Sequence, residues 1–198
     1  MTTMTATAVA APPQTLPTRR RFTVAEYFAL AEAGILREDE RVELIDGEII
    51  VMSPINDPHR QSVNWVGRLL TLALGKRAMV QVQATIVLND ATAPEPDIAV
   101  IRFRTINDLV TVTPEEIYLL VEVADSSLAF DRGTKLPRYA AAGIPEVWIA
   151  NLVNRRVEAH SNPVNGTYQN VLIVHAGATI SPQAFPDVTL AVSDFLPG

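Results

Sequence analysis

The chain has 198 residues, 48% apolar and 19% charged, with a formal net charge of −6 and no cysteine. That length holds one α/β or α+β domain with a full core and is short for two, the apolar share excludes global disorder, and the missing thiols exclude a disulfide framework, a thiolate metal site and a thiol nucleophile. The acidic balance excludes a strongly basic nucleic-acid coat, and no run approaches the ~20 uninterrupted apolar residues of a membrane span. A reducing cytoplasm is the simplest location.

The N-terminal MTTMTATAVAAPPQTLPTRRR places its basic residues after a mildly apolar part, the reverse of a secretory signal. Residues 1–20 therefore read as a disordered arm and residues 21–198 as a single domain. Thr23 and Glu26 have capping-box spacing, so a first helix is predicted over 23–33 with Val24, Phe28 and Ala31 on its apolar side. Segments 41–45 and 48–52 flank Asp46-Gly47, a pair that tolerates positive φ and so predicts a tight hairpin. Asp57-Pro58 has the form of a helix N-cap and first position, and Val63, Val66, Leu70 and Ala73 recur at helical spacing up to Gly75.

Further on, MVQVQATIVL alternates Val80, Val82, Ala84, Ile86 and Leu88 with more polar neighbours, as a half-buried strand does. Ile98 to Ile101 and Ile117 to Val123 are nearly unbroken apolar runs, the pattern of central strands covered on both faces. A helix is predicted from Ser127 or Asp131 to Ala142. Pro137 inside it would cost ~3 kcal/mol in a regular helix, so the helix begins near Lys135 or is kinked there. Glu146 to Ala150 reads as another strand, and the remainder, with Asn165-Gly166 as a turn, as C-terminal β-structure. This order predicts a mixed α/β fold, a central mixed sheet flanked by helices.

The chemistry-bearing residues are acids that interrupt apolar runs: Asp97 in EPDIAVI and Glu122 in IYLLVEVA, followed by Lys135 in DRGTKLPRY. Burying carboxylates unpaired is expensive, so a metal ion or another cation is expected beside them. Each has a bland reading as well. Asp97 could be an ordinary Pro-Asp turn residue, Glu122 a salt-bridged core glutamate, and Lys135 a surface lysine or an i,i+4 partner of Asp131. Glu43 and Glu48, on the two strands of the first hairpin, could be exposed strand charges. His59, at a helix start, could meet phosphate or metal or neither. Arg19 to Arg21, Arg102 with Arg104, and Arg132 with Arg138 are candidate phosphate patches or solvated surface. A His-x-x-x-His pair, a glycine-rich phosphate loop and a Gly-x-Ser-x-Gly elbow are all missing from the sequence.

Taken in order, FTVAEYFAL, RVELIDGEIIVMSP with His59 downstream, EPDIAVI, YLLVEVADSS and DRGTKLPRYAAAGIPEVWI resemble the Uma-two family of restriction-endonuclease-like proteins, within the PD-(D/E)xK nuclease superfamily. The resemblance runs from Phe22 to the C-terminus. It implies a restriction-endonuclease-like core and a Mg²⁺-type or Mn²⁺-type site. Asp97 matches the proline-aspartate acid, Glu122 the second acid, and Glu43 the additional acid from the N-terminal part. The superfamily's lysine two residues after the glutamate is replaced by Ala124, and Lys135 matches the lysine that this family draws from the following helix.

The function this implies is metal-dependent endonuclease activity on phosphodiesters, DNA being the substrate by resemblance. Asp97, Glu122 and the Val123 carbonyl would hold the metal, Lys135 would act on water or phosphate, and Glu43 would tune the lysine or a second metal. His59, Arg132 and Arg138 are the candidate substrate contacts. Two-fold duplex DNA makes a homodimer a reasonable expectation. The rival reading is an inert nuclease-fold binding or assembly protein whose acids and lysine form an ion network. A small-molecule metallohydrolase would need a deep pocket in place of an open groove.

Overall fold

The computed structural model describes residues 18–37, 39–105, 107 and 111–197. Positions 1–17 of the expected arm lie outside the described residues, and 18–20 are exposed and non-regular. Helix α1 (Val24–Glu32) starts on the expected capping box, with Thr23 and Glu26 each satisfying the other's backbone amide. Strands β1 (Val42–Ile45) and β2 (Glu48–Val51) form the hairpin, and Asp46 and Gly47 take φ of 49° and 76° at its turn. The glycine is required there for space as well, because an added Cβ would stand 2.6 Å from the Arg21 Cβ.

Helix α2 (Asp57–Leu74) begins one residue earlier than expected. Asn56 is the cap, and Asp57 and Pro58 fill the first two helical positions, both of which tolerate the missing proline amide. Its buried stripe includes Val63, Val66 and Leu70 but ends on Leu74, leaving Ala73 exposed.

Strand β3 (Ala78–Val82) is shorter than the alternation in MVQVQATIVL predicts. Gln83 takes a φ of 48° and gives its amide to the Asp97 carbonyl, so the chain turns out of the sheet. In the rest of that segment, among the described residues, Ile86 alone is bridged, to Val112. Alternation therefore persisted through a backbone turn that it cannot signal.

Strands β4 (Ile98–Arg102), β5 (Ile117–Ala124), β6 (Glu146–Asn151), β7 (Arg156–Val164) and β8 (Thr167–His175) complete a six-stranded sheet in the order β3-β4-β5-β6-β7-β8. Only β5 and β6 are parallel. A parallel pair needs a crossover. It is supplied by α3 (Leu128–Phe130), a π-helical turn (Asp131–Lys135) and α4 (Leu136–Ala141). The Leu136 amide reaches back five residues to the Asp131 carbonyl. This wider turn accommodates Pro137 without a break, because the regular i→i−4 ladder that proline would interrupt is already reset there.

One face of the sheet packs on α2 and the C-terminal segment through Val66, Leu70, Val121, Trp148 and Phe195. The other packs on α4 and the turn after it, through Tyr139 and Ile144, against Ile101, Leu120 and Val147. Tyr27, Leu44 and Ala93 join α1 and the hairpin to the chain following β3. A two-residue pair, β9 (Thr179–Ile180) with β10 (Leu190–Ala191), lies apart from the main sheet. Among the described residues no helix is long and apolar enough to cross a membrane.

Candidate active site

The last β4–β5 pair on the cleft side is Ile98 with Val121, and continuing that register one step sets Asp97 opposite Glu122. Asp97 is buried, and its Oδ2 accepts the Val123 amide at 2.8 Å. Its Oδ1 lies 2.8 Å from His59 Nε2, with the Gln83 carboxamide at 3.5 Å. His59 is aimed there by the start of α2. Asn56 Oδ1 accepts the His59 amide at 3.0 Å, while Asn56 Nδ2 donates to Asp125 at 2.5 Å, tying the helix start to the end of β5.

Glu122 points to the α4 side, where it meets two donors. Tyr139 Oη donates to Oε1 at 2.6 Å, and Lys135 Nζ lies 3.3 Å from both carboxylate oxygens. Lys135 also pairs with Glu43 Oε1 at 3.0 Å and donates to the Glu95 carbonyl at 3.3 Å. The π-helical turn buries both Asp131 and Lys135, and the Asp131 carboxylate accepts from Ser127 Oγ at 2.6 Å. Glu43 comes from β1, so one ammonium joins the hairpin, the sheet and the crossover.

The acids, with His59 and Lys135, line a cleft of about 270 Å³. Six carboxylates (Glu43, Glu95, Asp97, Glu122, Asp125, Asp131) share it with two permanent cations, Arg41 and Lys135. Burial pushes the Glu122 carboxyl well above its ordinary value; Lys135 offsets this only in part, and Asp131, Asp97 and Glu43 add to the rise. Burial likewise raises Glu43 and Asp131 against the pull of Lys135. For Lys135 burial acts downward, but the surrounding carboxylates outweigh it and the ammonium is held above its ordinary value, fully charged. The cleft is thus short of positive charge.

Hard oxygen donors in surplus suit a hard divalent cation, and the buried Glu43 Oε2 has no hydrogen-bond partner among the described residues. In donor chemistry the residues fit. Their coordination sphere is not preassembled: among the described residues no three acid or histidine side chains converge as a ligand set. Glu122 is turned into Lys135 and Tyr139, and Asp97 into His59 and the Val123 amide.

The profile of the family described as "putative restriction endonuclease", Uma2, matches residues 24–193. The chain belongs to the Uma2 family. No curated protein sequence matches this Uma2 chain. A crystal structure described as a "putative nuclease belonging to DUF820" from Anabaena variabilis superposes with a TM-score of 0.71 at 15% identity, covering 88% of this chain and 97% of that one. At that identity the likeness shows the fold.

Of the residues singled out in the Uma2 sequence, Glu43, His59, Asp97, Glu122 and Lys135 line the one cleft. Arg132 and Arg138 do not. Arg132 Nε pairs with Glu158 at 2.9 Å, and Arg138 pairs with Asp46 and donates to the Thr134 carbonyl at 2.5 Å. Tyr139 and Glu95 belong to the site and were not anticipated. Tyr139 stands four residues after Lys135 on α4, a spacing that puts both on one face and could have flagged it. A buried tyrosine in an apolar segment is more readily read as core.

Proposed function

We propose that this Uma2 chain is a metal-dependent endonuclease that hydrolyses phosphodiester bonds in DNA, with residues 21–198 acting as one catalytic unit. The observation that carries the reading is the cross-strand meeting of Asp97 and Glu122 beside a buried, fully charged Lys135 in an over-acidic cleft. Asp97, Glu122 and the Val123 carbonyl would hold Mg²⁺ or Mn²⁺. Such a cation supplies activation of water at neutral pH and relief of negative charge at phosphorus.

The chain's own residues do the rest. Lys135 presents a cation to the attacking water or to the phosphate oxygens, and Glu43 fixes its position through the 3.0 Å ion pair. Tyr139 orients Glu122, and His59 holds the Asp97 oxygen that faces α2. His59 is also the cleft-lining group best placed to meet phosphate. Arg132 and Arg138, each committed to an ion pair, are given no substrate role. Two copies acting on two-fold related strands suit a duplex substrate, and the cytoplasm is the expected setting.

A second reading has one observation in its favour: the closed Lys135–Glu122–Tyr139 network is what an inert nuclease-fold binding protein would retain. Calorimetry with Mn²⁺ and plasmid cleavage separate the two. The nuclease binds Mn²⁺ at a site greatly weakened in Asp97→Ala and cleaves DNA only with the metal. Equal Mn²⁺ binding by the variant, together with no cleavage in any divalent metal, would leave the inert protein.

A further inference from the structure

Helix α2 buries one face in the core and begins at the cleft with His59. Its outward face carries Gln61, Asn64, Trp65 and Arg68, at helical spacings that set all four side by side. They line a groove of about 550 Å³ whose opposite wall is the C-terminal segment at Ser193, Asp194, Leu196 and Pro197. Trp65 is 50% exposed, and among the described residues no aromatic ring or cation packs on it. Arg68 makes no ion pair among the described residues.

A smaller depression lies between groove and cleft and adjoins both. It shares Leu196 and Pro197 with the groove and Asp125 with the cleft. Arg155 borders it, held by a 3.1 Å bond to the Pro197 carbonyl. Six residues of helix separate His59 from Trp65, about 9 Å along the axis.

The side chains in the groove suit one ligand chemistry. An indole face stacks on any nucleobase, the carboxamides of Gln61 and Asn64 can bond base edges, and a guanidinium free of carboxylate partners pairs with phosphate. An apolar peptide would use the indole but would leave the two carboxamides and the arginine unmatched. We propose that this groove holds a nucleic-acid strand leaving the cleft, with one base stacked on Trp65 and a backbone phosphate at Arg68. The inference rests on the nuclease reading in one respect, that the strand passing Trp65 is the strand entering the cleft.

The test uses the full chain in EDTA, which suppresses metal-dependent turnover, titrated with a single-stranded oligothymidine. Trp148 is fully buried, so a change in exposed indole emission reports Trp65. Binding should quench that emission and the quench should vanish in Trp65→Phe, which keeps a stacking ring and near wild-type affinity. Trp65→Leu keeps apolar bulk without a stacking ring and should bind about ten-fold more weakly. Arg68→Ala should lower the slope of log affinity against log salt by about one. Unquenched emission, or equal affinity for wild type and Trp65→Leu, overturns the groove assignment even if the protein cleaves DNA. Quenched binding by a protein that fails to cleave DNA with any divalent metal retains the groove and removes the nuclease.

Discussion

Glu122 and Glu158 occupy the same row of the sheet, two strands apart with Ile149 between them, and both are buried. Their surroundings send them in opposite directions. Glu158 meets Arg132 Nε and Arg156 Nε, each at 2.9 Å, and Asn151 Nδ2 at 3.2 Å; burial pushes its carboxyl up, but these donors outweigh burial and hold it below the ordinary value. Glu122 shares a single ammonium with Glu43 and stays well above. Burial of a carboxylate therefore does not mark a functional site. What sets Glu122 apart is several buried carboxylates gathered round one ammonium, an arrangement that leaves a place for a cation from outside.

The largest test of this contrast is Lys135→Ala, which takes from Glu43 and Glu122 the one cation that, among the described residues, pairs with both. We expect ~3–5 kcal/mol lost at pH 8, shrinking as the pH is lowered and the carboxyls take up protons, as read by urea melts at both pH values. Where the variant remains folded, DNA cleavage should fall by a factor on the order of 10² or more. Unchanged stability and cleavage would show that the ammonium is a bystander.

Glu158→Gln should come next, costing about 1–3 kcal/mol, because its two arginine partners are partly exposed and recover some hydration. The sign follows from the lowered carboxyl: its contribution is present above the ordinary value and is lost as the pH falls through the folded-state value. Mn²⁺ affinity should not move. A fall in metal binding would join the two glutamates into one site and end the comparison.

Glu122→Gln should have the smallest effect on stability, within about 1 kcal/mol at pH 8 or slightly favourable. A carboxyl raised on folding binds its proton more tightly in the native state, so stability declines as pH rises from the ordinary value through the folded one. The glutamine removes that decline, and the pH dependence of urea melts should flatten while Mn²⁺ binding is lost. An unchanged dependence would place the raised titration on Glu43 or Asp131.

What the sequence disclosed follows from range. Acids inside apolar runs are local anomalies, so Asp97 and Glu122 could be picked out singly, and Pro137 announced an irregular helix. The way that irregularity is resolved, a π-helical turn, depends on burying Asp131 and Lys135 together against β1 and β5, which no local pattern encodes. His59 could be weighed only as a contact to phosphate or metal or as neither, since its partner Asp97 is 38 residues away and meets it only once α2 docks on the sheet. The sequence points to Asp57 as the cap, and Asn56 takes that position in the fold, where its amide also reaches Asp125.

The π-helical turn between Asp131 and Lys135 makes chain length a chemical variable. Each residue of a helix advances about 100° around the axis, so a homologous chain one residue shorter here would carry its lysine away from Glu43 and Glu122, with every side chain otherwise retained. A gap of one position, the kind of difference that loops absorb freely, would at this point separate a chain with the buried ammonium from one without it.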